Sequence, residues 1–333
     1  MSNRPTISDL AAELGLSKSA VSNALRGVPL VSAETTARVQ EYARERGWRP
    51  NAAARALSLS RSDNIGIVLV QVDSLLGTES FYMSAIAGIE RVLSPQGKNL
   101  LLRTIDSPDD ERSIYESWIT EGRVDGVILF DRLVDDARPR LLDERQLPYA
   151  FFGDADDASS AELVIEETRT IATHLAALGH RSLLFLGGPA ELAHEEERSA
   201  HLTSISAENG MASRIIRGGY SIADGRNGAR EGIAAGDVTA VIASSDLLAL
   251  GAATELAASG RDDVAIVSWD DSLLCRYSPV PLTALDRRHA ESGEIAARQL
   301  VNAAYSTGLH PVPHRPSELL IRESSRPHLS RVP

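Results

Sequence analysis

From residue 65 to residue 268 the chain alternates short apolar runs with helical stretches, and this alternation constrains its fold more than any other feature. Runs at 65–70, 100–103, 127–130 and 150–152 form a first series of expected strands. Helical stretches separate them, at 83–93 and 114–121 for example. A second series follows at 183–186, 214–216, 240–243 and 265–268, with a last strand expected at 319–322. Strands joined through helices run parallel and are covered on both faces, so they read as continuous apolar runs. Two series predict an α/β architecture of two doubly wound parallel-sheet subdomains, which take ligands in the crevice beyond their strand carboxyl ends.

The first sixty residues break this pattern and predict an N-terminal all-α head. Within residues 6–27, TISDLAAELGLSKSAVSNALRG, Thr6 and Asp9 form a capping box. Ile7, Leu10, Ala11 and Leu14 follow at helical spacing. Gly15 supplies the left-handed residue that ends this helix. Ser17 caps a second helix that turns Ala20, Val21, Ala24 and Leu25 inward and Lys18, Ser19, Ser22, Asn23 and Arg26 outward. The outward face carries no acid, only cations and short hydrogen-bonders, which favours a helix-turn-helix reading base edges over an ordinary helical hairpin. A third helix, capped at Ser32 and ended at Gly47, closes the small core with Val39, Tyr42 and Ala43.

Charge agrees with that division. The chain as a whole carries −12, yet residues 1–61 hold nine Lys or Arg against five acids. A basic head on an acidic body engages phosphate with the head and keeps the body off the duplex. No run of about eighteen apolar residues exists, so no membrane span is expected. The amino terminus lacks the apolar segment of an export signal, which predicts a cytoplasmic protein. Cys275 is the single cysteine, so neither a disulfide framework nor a thiolate zinc site is expected. The eight histidines offer no ligand set, and neither a metal nor a cofactor is predicted.

Past a break at Arg49-Pro50 and a cap at Asn51, residues 52–59 favour helix but are too few to sustain one in water. Such a segment is suited to folding on contact. In the body, Gly187-Gly188-Pro189 lacks both GxGxxG spacing and a Walker lysine, and reads as a tight turn rather than a phosphate nest. Glu195, Glu196 and Glu197 read as a solvated helix start. The cleft candidates directly follow strands or open helices: Asp270 after 265–269, Asp246 after 240–243, and Arg198 on the helix after the Gly-Gly-Pro loop.

The whole length resembles the lactose and galactose repressor family of bacterial regulators (LacI-type). Carrying the resemblance are TISDLAAELGLSKSAVSNAL, the PNAAARAL hinge, LGHRSLLFLGGP, the SSDLLALGA run, VAIVSWDDS and YSPVPLTAL, in that order. It implies a helix-turn-helix head at 1–49, a hinge at 50–62, and a periplasmic-binding-protein-like clamshell. In that clamshell, 63–159 with 288–316 form one subdomain, 160–287 with 317–327 form the other, and 328–333 are a tail. The resemblance implies hinge helices in the operator's minor groove, with Leu57 wedging between base pairs, a known kinking device. In the head Thr6, Ser17, Lys18, Ser19, Ser22 and Asn23 become DNA contacts, and in the hinge Asn51 joins Leu57. In the cleft, Arg198 and Asp270 hold the effector, Ser245 and Asp246 lie beside it, and Phe81, Tyr82 and Tyr220 form its walls. An arginine fork and a carboxylate can bridge adjacent sugar hydroxyls while aromatics cover the ring.

Several residues depart from the family. The loop between Val70 and Phe81 is longer, and the usual Asp-Arg pair after the fourth strand reads Gly153-Asp154. His201 replaces glycine, and Ser58 replaces a basic hinge residue. Asn23 stands where arginine is common, which suits adenine rather than guanine. The expectation is a cytoplasmic, homodimeric repressor of a palindromic operator, switched by a sugar or related polyhydroxylated effector. The tail has no heptads, so no added coiled coil is expected. A periplasmic-type binding protein is the rival reading, and an enzyme of the doubly wound class a third; the basic head opposes the first and the absence of a nucleophile motif the second.

Overall fold

The structure is a computed structural model, and it describes residues 5–28, 30–48, 61–70, 80–153 and 157–325. Contacts divide the chain into two units, residues 1–62 and 63–333.

The first unit holds α1 (Ile7–Leu14), α2 (Lys18–Arg26) and α3 (Ala33–Glu45). Each begins where a hydroxyl accepts an N–H of the first turn: Thr6 from Asp9, Ser17 from Ala20, Ser32 from Thr35. Gly15 and Gly27 end α1 and α2 in the left-handed region. Leu10, Ala11, Val21, Ala24, Val39 and Ala43 form the buried core, with Tyr42 packed at its edge.

In the second unit, β1 (Asn64–Val70), β2 (Asn99–Ile105), β3 (Gly126–Leu129) and β4 (Tyr149–Phe151) form a parallel sheet in the order β2-β1-β3-β4. Helices α4 (Ser80–Leu93), α5 (Glu111–Glu121) and α6 (Arg138–Glu144) belong to this lobe. The chain then passes through α7 (Asp157–Ala177) into a second sheet. There β5 (Ser182–Gly187), β6 (Ala212–Arg217), β7 (Ala240–Ala243), β8 (Ala265–Ser268), β9 (Thr283–Asp286) and β10 (Glu318–Leu320) run in the order β10-β9-β8-β7-β5-β6. All pairings in it are parallel except β10 with β9. Its helices are α8 (Ala193–Glu208), α9 (Ile222–Ala234), α10 (Asp246–Ala258) and α11 (Leu273–Tyr277).

After β9 the chain returns to the first lobe as α12 (His289–Tyr305), which packs on α4, β3 and β4. Contact with α4 is close at Gly88, where a Cβ would lie 1.8 Å from the Ala290 carbonyl oxygen. A third passage carries the chain to β10. Strands β3, β7 and β8 are buried at every residue, as strands covered on both faces must be. Two differences from the sequence reading stand out. β9 leaves no apolar-run signal in the sequence, being four residues long and preceded by prolines. The last strand is short, 318–320 rather than 319–322, and lies antiparallel at the sheet edge. Among the described residues no helix is long and apolar enough to cross a membrane.

Candidate functional site

In the head, the residues expected to face DNA lie on α2 and at its start. Lys18 and Ser19 are exposed, and Ser22 and Asn23 are half-buried. Ser17 accepts from Ala20 N–H at 3.1 Å and lies 3.0 Å from the Ser19 hydroxyl. Thr6 turns its amide (2.7 Å) and hydroxyl (2.8 Å) to Asp9 Oδ2, so both of its donors serve the cap. Glu13 accepts from Tyr42 at 2.6 Å and pairs with Arg46, tying α1 to α3. Asn51 and Leu57 lie outside the described residues.

The larger site is a cleft of about 820 Å³ between the two lobes, at the carboxyl ends of both sheets. Strand order reverses between β1 and β3 in one sheet and between β5 and β7 in the other, and the loops at these switch points line the cleft. Of the predicted effector residues, Phe81, Tyr82, Arg198, Tyr220, Ser245, Asp246 and Asp270 come together on its walls. Asp154 lies outside the described residues.

The first lobe contributes an aromatic wall. Phe130 and Phe152 stack with centroids 4.7 Å apart, and Phe81 meets Phe152 edge-on at 5.3 Å. Tyr82 donates its hydroxyl to Asp131 Oδ2 at 2.9 Å. Beneath this wall Arg138 donates to Asp136, Glu111 and the carbonyls of Phe130 and Asp131, which fixes the loop after β3.

The second lobe contributes a charged floor. Arg198 is buried; its guanidinium lies 4.8 Å over the Trp269 ring and donates to Glu195 Oε1 at 3.0 Å. Glu195 is fully buried and also accepts from Gly188 N–H and the Tyr220 hydroxyl, each at 2.8 Å. Tyr220 approaches so closely that a Cβ on Gly188 would lie 2.2 Å from its ring. Asp270 accepts from His289 at 2.9 Å and lies 3.5 Å from Arg287. Glu167 accepts from Arg287 Nε at 2.9 Å, Ser317 at 2.6 Å and Trp269 Nε1 at 2.9 Å, so one carboxylate joins α7 to both later passages between the lobes.

Burial would raise these carboxyls, but cations outweigh it. His289, Arg287 and Arg198 hold Asp270 well below the ordinary range, and Arg198 lowers Glu195. Asp246 differs: burial and then the charge of Asp270 push it up despite a bond from Ser272, and its Oδ2 is buried without a partner. His194, within 3.0 Å of the Tyr220 hydroxyl, is pushed down to about 4 by burial and by Arg198.

The two lobes also touch across the cleft mouth. Leu133 and Leu192 form an antiparallel bridge, Val134 N–H donates to the Glu191 carbonyl, and Ala193 N–H donates to the Arg132 carbonyl, both at 2.9 Å.

One expectation is corrected here. The three glutamates at 195–197 are not a uniformly solvated helix start. Glu196 is exposed and pairs with Arg217 at 2.7 Å, but Glu197 lines the cleft and Glu195 lies beneath it. Glu195 precedes Arg198 by three residues and so shares its helix face, a signal present in the sequence. Gly187-Gly188-Pro189 holds a carboxylate of its own chain through Gly188 N–H, as a turn at the cleft. Glu167, Arg287 and His289 left no local signal, since passages distant in sequence bring them together. Among the described residues no group of three side chains is placed to hold a metal ion.

The chain is similar to several known proteins. A profile of the periplasmic binding protein-like domain matches residues 172–325. The HTH-type transcriptional regulator CelR of Thermobifida fusca is 30% identical over 335 residues, covering 96% of this chain and 98% of the relative. A solved complex of a regulator CelR with cellobiose is 29% identical, covers 96% of this chain and all of its own, and superposes with a TM-score of 0.71. The lac repressor dimer bound to operator and an anti-inducer shares the fold, with a TM-score of 0.80 over 97% of this chain and all of its own at 22% identity.

Proposed function

The chain belongs to the LacI family of transcriptional regulators, and from that premise we propose that it is a homodimeric repressor whose DNA affinity is set by a neutral, polyhydroxylated effector in the cleft. The observation that carries this reading is the convergence, on one cleft, of an aromatic wall from one lobe and a carboxylate–arginine floor from the other. Aromatic faces suit the C–H faces of a sugar ring, and paired acceptors and donors suit its hydroxyls.

In this reading Lys18, Ser19 and Asn23 read base edges in the major groove, Ser17 and Ser22 meet phosphates, and Leu57 opens a base step at the operator centre. Paired heads require a two-fold dimer. Leu273 and Tyr277, one turn apart on α11, are exposed at 65% and 82%, with Val280 and Ile321 also exposed, as an apolar surface that a second copy would cover. The sugar reading draws on the relative solved with cellobiose, which makes β-linked glucose disaccharides the first compounds to screen by thermal shift. A gel shift on the DNA upstream of the protein's own gene tests the repressor reading. Binding that survives a scrambled competitor supports it, and equal competition by scrambled DNA refutes it.

A further inference from the structure

We infer that Glu195 sets the charge class of the ligand: by neutralising Arg198 it reserves the cleft for uncharged molecules and turns anions away. The inference rests on the reading of the cleft as the ligand site.

A buried arginine at the floor of a cleft is ordinarily an anion receptor, because its fork matches carboxylate and phosphate oxygens. In this chain a carboxylate already occupies that position. Arg198 donates to Glu195 at 3.0 Å, and its remaining contacts are the Ser244 carbonyl at 3.4 Å and the Trp269 face. Glu195 is held from three elements at once, by Gly188 N–H, Arg198 and the Tyr220 hydroxyl, so it cannot swing aside to admit an anion.

The other floor cation is matched as well: Arg287 donates to Glu167 and lies beside Asp270, which also takes His289. Facing the two arginines and His289 are four carboxyls, Glu167, Glu195, Asp246 and Asp270. His194, lowered by burial and Arg198, adds no cation at neutral pH, and Asp131 adds a further acid from the opposite lobe. Among the described residues, the buried polar atoms that line the cleft without a hydrogen-bond partner include Asp246 Oδ2, Ser244 Oγ and Arg198 Nε, with Asp271 Oδ1, which pairs with Arg322, and His314 Nδ1 at its edge. Together they mix acceptors, a hydroxyl and donors. Ligand hydroxyls, which both donate and accept, satisfy such a set.

Inorganic phosphate is the direct probe, because it needs no knowledge of the natural effector. Its binding is measured by calorimetry and thermal shift at matched ionic strength. Wild-type protein shows no saturable binding up to the highest phosphate concentration used, whereas Glu195→Gln, which keeps the shape and removes the charge, half-saturates at about a tenth of that concentration or less. Glu195→Asp, which keeps the charge, stays with wild type, and adding Arg198→Met to Glu195→Gln abolishes the gain. Saturable phosphate binding by wild type, or no gain in a folded Glu195→Gln, overturns the inference. Should Glu195→Gln fail to fold, Asp246→Asn serves in its place. With Glu195 intact it must still exclude phosphate, and phosphate binding by that variant overturns the inference too. The sugar reading fails separately, if no neutral glycoside stabilises the wild-type protein.

Discussion

Two residues test the proposed function most directly. Asn23 is half-buried on α2 beside the exposed Lys18 and Ser19. An asparagine that pairs with adenine discriminates by roughly 1–3 kcal/mol. Asn23→Ala therefore lowers specific binding about tenfold or more while leaving binding to random DNA nearly unchanged; an equal loss on both shows that Asn23 does not read bases. Asp270 is the floor carboxylate shared by His289 and Arg287. Hydrogen bonds to charged groups contribute about 1.5–3 kcal/mol, so Asp270→Ala weakens the effector about ten- to a hundredfold. Operator affinity without effector stays near wild type. A full ligand response in Asp270→Ala would place the site elsewhere. Asp270, Glu195 and Glu167 are all held below the ordinary carboxylate range in the folded state. Their stabilisation is complete above the unfolded values, about 4 to 4.3, and is lost as pH falls through the lowered ones. The melting temperature of the second unit, residues 63–333, should then hold level from pH 8 to about 5 with respect to these groups and fall below about 4; a fall already complete at pH 5 contradicts that assignment.

At the scale of elements, the bridge between residues 132–134 and 191–193 is the contact that must break when the lobes separate at the mouth. Ala193 opens α8, and proline is tolerated at a first helical position. Ala193→Pro thus removes the donor to Arg132 and little else. Losing one hydrogen bond of about 1 kcal/mol shifts the closed population roughly fivefold, read as a wider interlobe distance between spin labels in the ligand-free protein. An unchanged distance distribution shows that the bridge does not hold the lobes. The elements themselves were unequally legible in the sequence. β7 and β8 match their expected bounds because both are short, wholly apolar and sharply bounded. β9 escaped because four residues after a proline pair carry no period. The capped helices of the head were legible because each start and stop depends on one named side chain or glycine. In the cleft, the groups directly after strands were readable, whereas Glu167, Arg287 and His289 meet only through the passages between lobes. Glu195 was misread because a run of acids opening a helix is usually solvated, and only its spacing from Arg198 marks it as buried.

For the whole molecule, charge and connectivity bear on the coupling proposed between operator and effector. The head is basic and the rest of the chain acidic, so in the proposed reading salt-dependent phosphate contacts fall to the head. Three chain passages join the lobes, and Glu167 fastens two of them to α7 at the cleft. An effector bridging the aromatic wall and the charged floor favours one relation of the lobes, and it can shift that equilibrium only by its difference in affinity between them. Linkage then requires operator and effector to alter each other's affinity by the same factor. Fluorescence anisotropy of labelled upstream DNA, titrated with protein at zero and at saturating concentrations of the sugar that stabilises it, tests this most directly. The account predicts specific binding that the sugar changes by about tenfold or more, typical of allosteric coupling. Identical curves with and without a sugar already shown to bind would contradict it.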